Sequence, residues 1–380
     1  MTRTNTESPP GGDHATRCHG STSYQAVHLP RLRFPHRPVL GLRLLPGLRL
    51  GQVRLMLTVL DRRARGTEFV SLPIKSLLNS PQQTGMNFWS VNPYVGCEFG
   101  CTYCYARFAH QYVAERSGLP RGAWSLEDFE RRIFVKAGAA DVVALTLRPG
   151  RLKGHAIAIG TATDPYQPAE RQFHITRQIL ERLAQFHGLK IGIVTKSPLV
   201  ARDVDVLTRL AERSDVTIHL SLITVDAPLL RRLEVRSPAP GARLRALEKL
   251  ARAGLSAGVM IAPVLPGITD DVPHLEALIR AAKNAGARFV GTTPLRMYAH
   301  TRRRFLPLVA AEFPRLLAKY QRAFAESGTM SPVYVSALKR RVTKLRREIG
   351  VPSSPTTAGR QDGTTAREQE SEQQELLPIS

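Results

Sequence analysis

The sequence predicts an α/β fold, a partial (β/α)6 barrel of the TIM type with disordered N- and C-terminal extensions. Short β-branched runs alternate with longer amphipathic stretches. Glycines stand where the helices should end, and each next strand follows after a short gap. Such a βα repeat implies parallel strands joined by right-handed crossovers. The six units counted here are too few for a closed eight-stranded barrel.

The expected strands, in order, are residues 89–95, 155–159, 190–195, 216–223, 258–264 and 288–292. Their runs of Val, Ile and Thr are the composition of strands buried on both faces. Apolar residues recur at helical spacing over 169–187, 204–213, 242–253 and 272–285. Gly188, Gly254 and Gly286 follow three of these stretches as C-caps. Two further helical stretches, 303–325 and 333–348, follow the last strand and could cover an edge.

Five segments result. Residues 1–55 form a basic leader rich in Pro, Gly, Arg and His, and Met56 offers a later start that would leave it untranslated. Residues 56–90 are an N-terminal extension packing on the barrel, and 91–300 are the barrel core. Residues 301–350 are C-terminal helices, and 351–380 form an acidic tail of disordered composition.

Among 380 residues, Lys and Arg total 54 against 31 Asp and Glu, a net charge of +23. This excess suits a polyanion or an anionic cofactor. Much of it is local: residues 1–80 carry 12 basic and 4 acidic side chains, and residues 300–350 carry 12 and 3. Solvated surface explains such clusters as well as nucleic acid does. The most apolar N-terminal stretch, 39–60, is broken by Arg43, Pro46, Arg49 and Arg54, so it cannot span a bilayer. No secretory signal precedes it. The expected location is the cytoplasm, with no membrane partner and no indication of oligomeric state.

Three of the four cysteines fall within eight residues, the density of a metal or cluster site in a reducing compartment. Cys97, Cys101 and Cys104 are spaced C-x3-C-x2-C, and Cys18 stands apart. A cubane cluster takes one thiolate per iron. Three ligands therefore leave one iron open to a small molecule. Gly96 and Gly100 let the backbone wrap closely. A structural zinc site would need a fourth ligand, from His110 or Cys18.

With Tyr103 before the last cysteine, the segment resembles the signature of the radical S-adenosylmethionine (SAM) superfamily. Over roughly residues 58–335 the chain is similar to the spore photoproduct lyase-related branch, and within it to a group of actinobacterial radical SAM proteins. The resemblance implies a [4Fe–4S] cluster on the three cysteines, SAM on the open iron, and Tyr103 near the adenine. It also implies an electron donor of the flavodoxin or ferredoxin type.

Further motifs follow in order. Residues 160–170, GTATDPYQPAE, resemble a strand-end stretch that lines the SAM amino group, which marks Thr163 and Asp164. A strand-to-helix turn opened by Pro168 is the simpler reading, and the two are compatible. Lys196 and Ser197 end the next strand, where a lysine can neutralise a carboxylate. The resemblance implies that Lys196 contacts the SAM carboxylate and that Ser221 bonds its ribose or carboxylate. Glu234, Ser237, Pro238 and Arg243 match a site-adjacent loop of the related proteins. Residues 262–270 would shape the adenine pocket, and Arg296 could bind an anionic substrate group.

The implied activity is reductive SAM cleavage to a 5′-deoxyadenosyl radical that abstracts hydrogen from an unidentified substrate. A second reading is a DNA-lesion lyase, with DNA as substrate. Spore photoproduct lyases use a cysteine hydrogen donor, whereas no cysteine follows Cys104. A tyrosine such as Tyr105, Tyr166 or Tyr298 would have to donate, and Tyr105 with Arg296 are the candidate catalytic residues. A third reading is a non-catalytic iron–sulfur redox sensor.

Overall fold

The computed structural model describes residues 57–63, 66–117, 125, 128–152 and 154–355. The expected leader and residues 356–380 lie outside the described residues. The strands are β1 (Thr58–Arg62), β2 (Glu68–Ser71), β3 (Leu78–Asn79), β4 (Trp89–Val91), β5 (Tyr94–Val95) and β6 (Arg132–Val135). They continue with β7 (Ile157–Ile159), β8 (Lys190–Thr195), β9 (Asp215–Ser221), β10 (Ser256–Val264) and β11 (Val290–Pro294).

The larger sheet has the order β11-β10-β9-β8-β7-β4-β3. All adjacent pairs from β4 to β11 are parallel, and β3 adds an antiparallel edge. The six parallel strands lie side by side in chain order, the arrangement expected of six βα units. β9 is buried along its whole length except Asp215, as a central parallel strand should be. The helices Val204–Ala211, Pro240–Arg252 and Val272–Asn284 bury Leu207 and Leu210, Leu247 and Leu250, and Leu275 and Leu278 in the core. Each fully buried leucine contributes about 1.5–3 kcal/mol.

Several expectations are corrected. The strand expected over 89–95 is two strands: β4 ends at Val91, and β5 pairs antiparallel with β6 in a second sheet, β1-β2-β6-β5. Pro93, which has no N–H to donate to a ladder, lies at the switch. The helix expected over 169–187 is broken at His174, whose φ is +53°. It forms Glu170–Phe173 and Ile175–Leu183, and Gly188 lies beyond the second helix in the turn before β8. Gly254 and Gly286 do follow helix ends. The helix expected over 303–325 is Ala299–Glu312 followed by two shorter helices, divided around Phe313–Pro314. The start of the expected tail is packed: Val351 is buried, and Val290 N–H donates to the Pro352 carbonyl at 3.0 Å.

At the site end, Gly160 follows β7 with φ +94°. A Cβ there would lie 2.5 Å from the Val194 carbonyl and 2.6 Å from Pro165, so only glycine lets the strand-end loop fold back onto β8. On β10, Pro263 interrupts the ladder and the register with β11 shifts between Ile261 and Val264. The Ala262 carbonyl there accepts from Ser221 Oγ at 3.3 Å.

Candidate active site

The cysteine loop leaves β5 and is gripped from three sides. Cys97 N–H donates to the Phe129 carbonyl at 2.8 Å. Cys101 bridges Glu234 in antiparallel fashion, and Thr102 donates to the Leu233 carbonyl from both N–H and hydroxyl. Arg107, buried, donates to the Cys101 carbonyl at 3.1 Å and pairs with Glu130. Glu130 also holds Arg236, with Arg304 at 3.6 Å. A Cβ on Gly96 would lie 2.8 Å from the Arg132 carbonyl, so the close wrap needs glycine.

Cys97, Cys101 and Cys104 are all free thiols; Cys101 is buried and the others are half-buried. Burial pushes all three thiols up. The Glu234 carboxylate adds to this at Cys101, whereas Lys196 lowers both Cys101 and Cys104. Stable thiolates here call for further positive charge, which metal supplies. Among the described residues no three His, Cys, Asp or Glu side chains converge on one ion position.

The strand-end loop after β7 clamps the cysteine loop. Thr163 Oγ1 donates to the Gly96 carbonyl at 2.6 Å. The buried Gln167 amide donates to the same carbonyl at 3.1 Å and accepts from Glu98 N–H at 3.0 Å. Asp164 is buried and fully engaged: Oδ1 accepts from Thr195 Oγ1 at 2.6 Å and Tyr166 N–H at 2.9 Å, and Oδ2 from Lys196 N–H at 2.7 Å. Ser197 accepts from Leu199 N–H and so caps the turn after β8. Three of the expected site residues, Thr163, Asp164 and Ser197, therefore spend their side chains on holding loops in place.

A second group assembles at the ends of β8 and β9. Lys196 Nζ lies 2.9 Å from Ser221 Oγ, 3.5 Å from Glu234 Oε1 and 5.6 Å from the centre of the Tyr103 ring. Tyr103 donates its hydroxyl to Glu234, which is also paired with Arg243. Burial alone would raise the Glu234 carboxyl, but Arg243 and Lys196 outweigh it and hold the group at about 2. Burial would lower Lys196, yet Glu234 and Cys101 keep its ammonium above the ordinary value. Glu234 and Arg243 are the residues whose weight the sequence understated. The signal was present in the spacing of the 234–243 motif.

Tyr105 donates its hydroxyl to the Thr161 carbonyl. Burial raises its phenol, and nearby Arg296, half-buried, partly offsets this. Tyr105 and Tyr298 line one cavity of about 740 Å³. Tyr166 is wholly buried, its phenol pushed up by burial and by the Asp203 and Glu170 carboxylates.

Residues 91–285 match the sequence model of the radical SAM superfamily. An uncharacterised protein of Mycobacterium tuberculosis is 34% identical over 304 residues, covering 79% of this chain and 86% of its own. An uncharacterised protein of Methanocaldococcus jannaschii is 28% identical over 203 residues, covering 53% of this chain and 70% of its own. Among solved structures, spore photoproduct lyase superposes with a TM-score of 0.54 at 14% identity, covering 74% of this chain and 79% of that one. At that identity the likeness concerns the fold.

Proposed function

This chain belongs to the radical SAM superfamily and is an enzyme of it, and from that premise we propose that Cys97, Cys101 and Cys104 hold one [4Fe–4S] cluster with SAM anchored beside it by Lys196 and Ser221. One observation carries the reading. The Lys196–Ser221 pair stands at the ends of two neighbouring strands, close enough for the lysine charge to act on Cys101 and Cys104. Bound together, cluster and SAM would supply reductive carbon–sulfur cleavage and a 5′-deoxyadenosyl radical.

The chain's own residues prepare the place. Lys196 offers a protonated ammonium to a carboxylate, and Arg243 keeps Glu234 ionised so that Lys196 stays charged. Asp164 fixes the backbone on which Lys196 stands. Thr163 and Gln167 fix the peptide groups flanking Cys97. Tyr103, packed edge-on against Phe305, covers the site with apolar surface that excludes water. Tyr105, immediately after Cys104 and facing the cavity, is the better placed hydrogen donor; Tyr166 is enclosed. A flavodoxin- or ferredoxin-type protein would bring the electron.

Anaerobic reconstitution followed by reduction with SAM tests the proposal. Release of 5′-deoxyadenosine supports it. A reducible cluster that never yields deoxyadenosine points to the redox-sensor reading.

A further inference from the structure

A cavity of about 740 Å³ beside Tyr105 has neither the three cysteines of the candidate site nor Lys196 and Ser221 among its lining residues. It shares a wall with that site through Asn92, Thr161 and Ala162. Asn92 accepts from Ala162 N–H at 2.8 Å and donates to Thr161 Oγ1 at 3.2 Å, so this wall is fixed. The exposed Tyr112, Glu115, Arg116 and Tyr298 mark its mouth.

Lys136 lines the cavity, half-buried. It forms no ion pair with any carboxylate among the described residues. Burial and, after it, the Arg116 cation push the ammonium down to about 8, and Arg116 lines the same cavity. A half-buried ammonium that shares its cavity with a second cation, where the one lining carboxylate is the exposed Glu115 at the mouth, is suited to an anion. The rings of Tyr105, Phe108, Tyr112 and Tyr298 line the same space. Asn79 and Ser90, hydrogen-bonded to each other, add polar surface. Planar rings among aromatic walls, with a polar edge to read, are what such a lining accommodates.

We infer that this cavity binds the substrate, a phosphorylated ligand with a planar, hydrogen-bonding ring, its phosphate at Lys136 and Arg116 and its ring against Tyr105. The inference deepens the proposed function and rests on it, because a ligand there lies alongside the residue following Cys104. The chemistry is that of a nucleotide, free or within a single strand.

The test is calorimetric binding of uridine 5′-monophosphate and uridine to full-length, cluster-loaded protein saturated with SAM, which removes the SAM site from competition. The monophosphate should bind about tenfold or more tightly than the nucleoside. Lys136→Met should erase that preference, with the thermal midpoint showing that the variant is folded. Should Lys136→Met not fold, Arg116→Ala at the mouth should narrow the preference. Equal affinity for the two probes, or a preference that survives both substitutions, overturns the inference. A single-stranded trinucleotide separates the two sources: tighter binding than the monophosphate identifies a strand, equal binding a free nucleotide. Substrate-free deoxyadenosine release by the wild-type protein reports separately on the radical reading, so the two can fail independently.

Discussion

Gln167 grips the peptide groups on both sides of Cys97: its amide donates to the Gly96 carbonyl at 3.1 Å and accepts from Glu98 N–H at 3.0 Å. The amide is wholly buried, so water cannot replace it. Gln167→Leu keeps the volume and orphans the Glu98 N–H, at about 1–3 kcal/mol, while the Gly96 carbonyl keeps its bond from Thr163 Oγ1. The variant should unfold at lower denaturant and lose iron to a chelator faster than wild type. Unchanged iron loss at reduced stability would mean that Gln167 supports the fold without positioning the cluster loop.

The buried pair of Glu234 and Arg243 should be costly to break from one side. Arg243→Met leaves Glu234 facing Lys196 alone in a buried site, and about 3–5 kcal/mol of stability should be lost. Glu234 titrates at about 2 in the folded chain, below its unfolded value. Its contribution is therefore complete above about pH 4.3 and disappears as pH falls through about 2. Glu234→Gln should flatten the acid limb of the stability–pH curve relative to wild type, measured by urea unfolding between about pH 2 and 6. Parallel acid limbs would contradict the assignment.

Lys196→Ala should weaken SAM binding by about 1.5–3 kcal/mol, the worth of a hydrogen bond to a charged group. Ser221→Ala should cost about 0.5–1.5 kcal/mol, because only a neutral hydroxyl is lost. Calorimetry on the cluster-loaded protein checks both. Equal losses would argue that the pair acts by packing, with no direct contact to the carboxylate.

The cysteines stand out in the sequence by their spacing, whereas Lys196 and Ser221 were marked by the family resemblance, and the fold brings the two together at the ends of β8 and β9. The parallel strands could be read from their β-branched content, as in Ile191, Ile193 and Val194 of β8 and Val216, Thr217 and Ile218 of β9. The second sheet could not: β5 has two residues and β6 four, too short to establish a period. Nor could the break at His174, since an αL residue inside an apolar helical pattern leaves no mark when it is not glycine. Gln167 and Glu234 stood in quoted motifs, but their partners are 69 and 131 residues away, and only the fold joins them. Lys136 carries no motif at all; its interest comes from what does not surround it.

The cysteine series separates cluster ligands from a bystander. Replacing Cys97, Cys101 or Cys104 with Ala should each abolish retention of about four irons per chain, whereas Cys18→Ala should leave iron content unchanged. Loss of the cluster in Cys18→Ala as well would contradict the three-ligand arrangement.

The most direct measurement is anaerobic incubation of the reconstituted protein with SAM and dithionite, followed by chromatographic quantification of 5′-deoxyadenosine and methionine. The account predicts both products in equal amounts from wild type, slowly and without added substrate, and neither from Cys101→Ala. An intact, reducible cluster that yields no deoxyadenosine under any reductant would contradict it.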